Sequence, residues 1–144
     1  MRTQHGAMTV SDARLPIVDV AYHSALTLPE YRESFEEYAR LAALGVPLAY
    51  LIDMRKFDPL RISAADRREA AAIFREYAPR LLPVSVAEAR VISSPLTRGI
   101  VTAFDWLTAV NKWPCQQFAT METAEAWLRA ELHRAEAHGT KPRR

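Results

Sequence analysis

The chain has 144 residues, which is one domain by the usual size prior and enough to bury about two thirds of the unfolded surface without a disulfide or metal staple. It is 49% hydrophobic and 25% charged with four glycines, a balance that excludes collagen-like, low-complexity and intrinsically disordered classes. The formal net charge of +2 rests on three basic residues after Gly139, so the body is near neutral and lacks the one-sided Lys/Arg footprint of specific nucleic-acid binding.

The elements follow in order. Pro16 to His23, with β-branched Ile17, Val18 and Val20, reads as a strand. Thr27-Leu28-Pro29-Glu30 is a capping box with proline in the first turn. The helix it opens carries Leu28, Tyr31, Phe35, Tyr38, Leu41 and Ala42 on one face and ends at Gly45. Leu48-Ala49-Tyr50-Leu51-Ile52 is a continuous apolar run, the pattern of a strand covered on both sides. Ser63 caps a second helix, expected to stop near Ala78 before Pro79, with Ala70, Ile73, Phe74 and Tyr77 inward.

Ala89 to Ile92 reads as a short strand, and Ser94-Pro95 opens a third helix with Leu96, Ile100, Ala103, Phe104 and Leu107 as its apolar stripe. Cys115 to Ala119 is a weak last strand. Thr120 then caps a helix bearing Ala124, Trp127, Leu128 and Leu132. Regular alternation argues an α/β fold: a mostly parallel or mixed sheet of four to five strands with helices packed on it. The expected division is a flexible N-terminal segment 1–13, one domain over 14–136, and a disordered basic tail 137–144. Residues 9–15 offer a hairpin partner to the first strand, an assignment weakened by Pro16.

The chemistry-bearing residues are few. In open α/β sheets ligands bind beyond the carboxyl ends of strands, which singles out Asp53, Arg55, Ser93 and Ser94. Asp53 has neither a neighbouring carboxylate nor a Gly-rich phosphate loop, so a turn-forming role is the stronger reading. Ser63 and Ser94 sit at helix starts, where capping explains them and where a phosphate would be well placed. Arg98, Trp106 and Trp113 complete the candidate binding set, Trp106 and Trp113 as aromatics suited to a groove or partner surface.

The four histidines have no i, i+4 pair, and one cysteine cannot build a multi-cysteine metal site. No metal and no cofactor is therefore expected. Cys115 reads as a buried structural thiol. A reducing cytoplasm is the expected setting, since the N-terminus lacks the apolar core of a secretory signal and no run approaches the ~18 apolar residues of a membrane span.

The succession "VDVAYHSALTLPEYRESFEEY", "LAYLIDMRKFDP", "SAADRREAAAIFREY", "ARVISSPLTRGIVTAFDWL" and "FATMETAEAWL" resembles the STAS/SEC14-like bacterial proteins, relatives of the anti-sigma-factor antagonists. The resemblance spans about residues 14–134, and "LIDMR", "RG…WL" and "FAT.E.A..WL" are its most characteristic pieces. It implies a sheet with packed helices, no catalysis, and binding of a partner protein or a small apolar or nucleotide-like ligand. The antagonists present a regulatory serine in an Asp-Ser-Ser-Gly turn. Here the neighbourhood reads Arg61-Ile62-Ser63-Ala64-Ala65, so Ser63 alone fits that position and both flanking steps are missing.

Three functions are expected in order: a non-enzymatic STAS-like protein-interaction or regulatory module, a carrier or sensor of a small apolar ligand, and an enzyme using Asp53 with Arg55 or Arg98. Tyr50, Phe57, Trp106 and Trp113 are the pocket walls of the second. The first leaves room for a homodimer through the third helix or an open sheet edge.

Overall fold

The computed structural model describes residues 2–5, 8–108 and 112–137. Six strands form one mixed sheet in the order β1-β2-β3-β4-β5-β6, so every strand lies beside its sequence neighbours. They are β1 (Arg2–His5), β2 (Met8–Arg14), β3 (Ile17–Tyr22), β4 (Leu48–Asp53), β5 (Ser85–Val91) and β6 (Cys115–Phe118). The β1-β2 and β2-β3 pairs are antiparallel, and β3 to β6 pair in parallel. The helices are α1 (Leu28–Ala42), α2 (Ala64–Leu81), α3 (Pro95–Thr108) and α4 (Met121–Ala137), with a 3-10 turn at Pro59–Arg61.

The parallel half dictates where the helices go. Each of β4, β5 and β6 is added at the same edge, and crossovers of one hand then deliver α1, α2 and α3 to the same face. The helix α4 follows the last strand, is no crossover, and covers the other face. Strand alternation divides the core accordingly. Val18, Val20, Tyr50 and Ile52 pack under α1 and α2, while Ile17, Ala49, Leu51, Ala87, Ala89 and Val91 pack under α4.

The N-terminal residues correct the sequence expectation. Within the segment read as flexible, Met8 and Val10 are buried and alternate with partly exposed neighbours, because β2 extends the core beneath α1 as a hairpin partner of β3. Together with β1 this makes six strands rather than four or five. A second correction is α2, which runs through Pro79 to Leu81. Proline removes one helical bond, but the ladder resumes with Leu82 donating to Ala78, and Leu81 is fully buried. Core packing outweighs the ~3 kcal/mol penalty of an interior proline. The expected tail lies outside the described residues beyond Ala137, which still belongs to α4.

The α2 start is built as its sequence implies. Ser63 Oγ accepts from the Asp66 amide at 3.0 Å and Asp66 Oδ2 accepts from the Ser63 amide at 3.4 Å. Ser63→Ala is expected to cost about 0.5–2 kcal/mol by urea denaturation, with Ser63→Asp, another capping residue, retaining most of it.

Candidate functional site

The cross-strand rows of the α1/α2 face lead to the site. Register places Val18, Tyr50, Glu88 and Cys115 in one row across β3 to β6, and Val20, Ile52, Arg90 and Gln117 in the next. Apolar side chains thus run into two charges on β5. Glu88 and Arg90 are two residues apart, share a face and are both buried, at 6% and 5% exposure.

The pair is closed by neighbours from other elements. Arg90 Nε donates to Glu88 Oε2 at 2.6 Å, and the Trp113 indole donates to Glu88 Oε1 at 3.1 Å. Lys112 Nζ stands 3.8 Å from the same carboxylate and lies over the Phe74 ring. Arg90 Nη1 donates to Asp105 of α3, whose side chain is one third exposed. Burial opposes ionisation of Glu88, but Arg90, Lys112 and the hydrogen bonds outweigh it and hold its pKa down to about 2. Arg90 likewise loses by burial, yet Glu88 and Asp105 keep it well above its usual value.

Beside this cluster lies a cavity of about 110 Å³ between the sheet and α1, α2 and α3. Its walls are largely apolar and aromatic, among them Phe35, Phe57, Phe74, Phe104, Ile52 and Trp113. Four tyrosines, Tyr22, Tyr31, Tyr38 and Tyr50, also line it. The Tyr50 hydroxyl bonds to Ser85 Oγ at 2.7 Å. Those of Tyr22, Tyr31 and Tyr38 have no hydrogen-bond partner among the described residues, and burial raises the pKa of all three. Native interiors rarely leave polar groups in that state.

No protein-family model matches the chain, and no curated protein does either. Among solved structures, an uncharacterized protein from the DUF3478 family of Shewanella loihica PV-4 superposes with a TM-score of 0.61 at 16% identity, over 89% of this chain and 98% of that one. Its fold is described as SpoIIAA-like. The present chain has that fold. At this identity the likeness is one of architecture, and it agrees with the STAS-type arrangement that the sequence resemblance implies.

Within the SpoIIAA-like sheet, the candidate residues separate. Asp53 ends β4 on the parity of Ala49 and Leu51, the α4 side, and does not line the cavity. Its carboxylate accepts from the Arg55 amide at 3.1 Å, from Nε at 2.9 Å and from Nη2 at 2.8 Å. The Arg55 guanidinium holds Asp53 below its usual pKa against a smaller effect of burial. Both residues are engaged with one another at the surface. Ser63 is a helix cap, and Ser94 Oγ accepts from the Thr97 amide at 3.4 Å. Arg98 is exposed.

The two tryptophans part company. Trp113 is buried, binds Glu88 and lines the cavity together with Tyr50 and Phe57, whereas Trp106 is 80% exposed. The reason is a rotation of α3. Its buried positions are Thr97, Val101 and Thr108, with Ile100 and Phe104 reaching the cavity, so Leu96, Ala103 and Leu107 of the expected stripe face outward. In this orientation Asp105 of α3 reaches Arg90.

Sequence reasoning missed Glu88, Arg90, Lys112 and the cavity role of Tyr22, Tyr31 and Tyr38. The available signal was "EAR" in β5: opposite charges two apart fall on one face of an interior strand, where a charge is retained only if paired. Cys115, expected to be buried, is half-buried because β6 is the edge strand; it stands in the same row, its thiol 3.7 Å from Glu88 Oε2, and partial burial with help from Glu88 pushes its pKa up to about 12. At pH 8 iodoacetamide is expected to label it only as the protein unfolds, with full labelling in urea. Prompt labelling of the native protein would contradict that placement.

Proposed function

We propose that this chain is a non-enzymatic STAS-like binding module that takes up a small, largely apolar ligand in the cavity between the sheet and α1 to α3. The observation carrying this reading is the combination of apolar walls with a few convergent polar groups, three of them hydroxyls with no partner among the described residues. That combination is the general form of a small-molecule site. The volume suits a ligand body on the scale of an aromatic ring or a short alkyl chain, since an apolar cavity of about 150 Å³ accepts benzene. An enzymatic role for Asp53 requires it to face a concave site free of local donors, and Arg55 occupies its carboxylate. A single cysteine suits a reducing cytoplasm.

The test is a titration of the protein with octan-1-ol followed by amide NMR shifts. Shifts confined to β4, β5 and α1 to α3, and suppressed in the cavity-filling variant Ala70→Leu, are expected. Shifts spread over the surface, or unaffected by Ala70→Leu in a folded protein, would remove the reading.

A second reading, docking of a partner protein or a second copy on α3, is favoured by Leu96, Trp106 and Leu107, which stand exposed on that one helix. Sedimentation of the wild type against Trp106→Ser tests its self-association arm: a concentration-dependent dimer lost in the variant supports it, and two identical monomers remove it.

A further inference from the structure

This inference rests on the cavity reading and names the chemistry of its occupant. Charged side chains lining the cavity are Arg67, Arg90 and Lys112 against the single carboxylate of Glu88. Glu88 is saturated, with Arg90 and Cys115 on one oxygen and Trp113 and Lys112 on the other. Arg90 is not. Its Nε serves Glu88 and its Nη1 serves Asp105, while Nη2 makes no hydrogen bond among the described residues. The lining is therefore left with an excess of positive charge, part of which Asp105 offsets on Arg90.

Asp105 differs from the other members of the cluster in one respect. Glu88 and Arg90 are buried and the Lys112 side chain is 9% exposed, but Asp105 is one third exposed and reaches Arg90 from α3 rather than from the sheet. Leaving the guanidinium returns it to water at small cost, since a hydrated carboxylate needs no protein partner. The contact also demonstrates that this guanidinium, in this position, accepts a carboxylate. Tyr22 and Tyr31 lie within the electrostatic reach of Arg90, and their hydroxyls have donors to give.

We infer that the cavity is a site for a monoanionic amphiphile with a carboxylate head, and that Asp105 occupies the head position on Arg90 until such a ligand displaces it. The head exchanges for Asp105 on the guanidinium and takes donors from the tyrosine hydroxyls. The tail lies among Phe35, Phe74, Phe104 and Ile52. A neutral head forgoes the charge-assisted bond, and a cationic head meets Arg67, Arg90 and Lys112 directly.

Octanoate, octan-1-ol and octylamine, titrated at one pH and ionic strength into the wild type and Asp105→Asn, separate the two levels of the argument. Octanoate is expected to bind at least about tenfold more tightly than octan-1-ol, with octylamine weakest. Asp105→Asn, which removes the competing charge but keeps the side-chain shape, is expected to tighten octanoate several-fold and leave octan-1-ol unchanged. Binding of octan-1-ol or octylamine as tight as octanoate would overturn the head-group inference while sustaining the cavity reading. So would weaker or unchanged octanoate binding in Asp105→Asn. Failure of all three to bind would overturn the cavity reading and this inference with it.

Discussion

Arg90→Met is expected to destabilise the protein by about 3–5 kcal/mol, read from urea denaturation at neutral pH, because it leaves a buried carboxylate short of its principal partner. Methionine replaces the alkyl stem, so the loss is electrostatic rather than one of volume. Lys112 remains near Glu88 at 3.8 Å but makes no short hydrogen bond to it. Asp105, on the rim, loses its partner at little cost because water replaces it. A loss under 1 kcal/mol would mean that the Glu88-Arg90 pair contributes no more than its replacement.

The same substitution has a pH signature. Glu88 ionises near pH 2 in the folded protein and near 4.3 in an unfolded chain. Its folded pKa is depressed, so its contribution is fully present above about pH 4.3 and is lost as pH falls toward 2. Without Arg90, burial is no longer outweighed, Glu88 titrates higher, and acid unfolding of Arg90→Met should begin at a higher pH than in the wild type. Glu88→Gln removes this titration and should flatten the acid limb. An unchanged acid limb in both variants would show that other carboxylates govern it.

Leu128→Ala is the second large effect, expected at about 2–5 kcal/mol for a fully buried leucine. The β4-β5 floor beneath α4 is built of small residues, Ala49, Ala87 and Ala89, with Leu51 and Val91. Such a floor lets the helix approach closely through Ala124, which is itself fully buried, and leaves Leu128 as the large side chain that fills the seam. Truncation there opens a cavity that alanines cannot collapse to fill. A two-state fold loses midpoint with its denaturant slope unchanged, whereas separate undocking of α4 would lower the slope as well. A loss under about 1 kcal/mol would contradict the docking of this helix.

The fold was legible because its signals are local and agree. Capping residues at Thr27, Ser63 and Ser94 marked helix starts to within a residue, and the apolar run at 48–52 marked a strand covered on both faces. Pro79 misled because a local penalty was read without the packing of Leu81 beyond it. The α3 stripe misled for the converse reason. Leu96 and Leu107 are more apolar than Thr97 and Thr108, yet α3 buries Thr97, Val101 and Thr108 and brings Asp105 to Arg90. The site was far less legible. Asp53 stands at a strand end, where position suggests function, but parity turns it away from the cavity and Arg55 engages it. Glu88 and Arg90 lie inside β5, which begins four residues before the short strand expected at 89–92. The partners that give them meaning, Lys112, Trp113 and Asp105, are 15 to 25 residues away in sequence.

Among the described elements, the helix that covers the alanine-rich face is the last to leave the ribosome. By the end of β6 the chain has supplied α1, α2 and α3 for the opposite side of the sheet, but no helix yet for the side of Ala49, Leu51, Ala87 and Ala89. The 17 residues of α4 take about one to three seconds to synthesise at 5–20 residues per second. Of the two faces of the sheet, the alanine-rich one is therefore the last for which a covering helix exists.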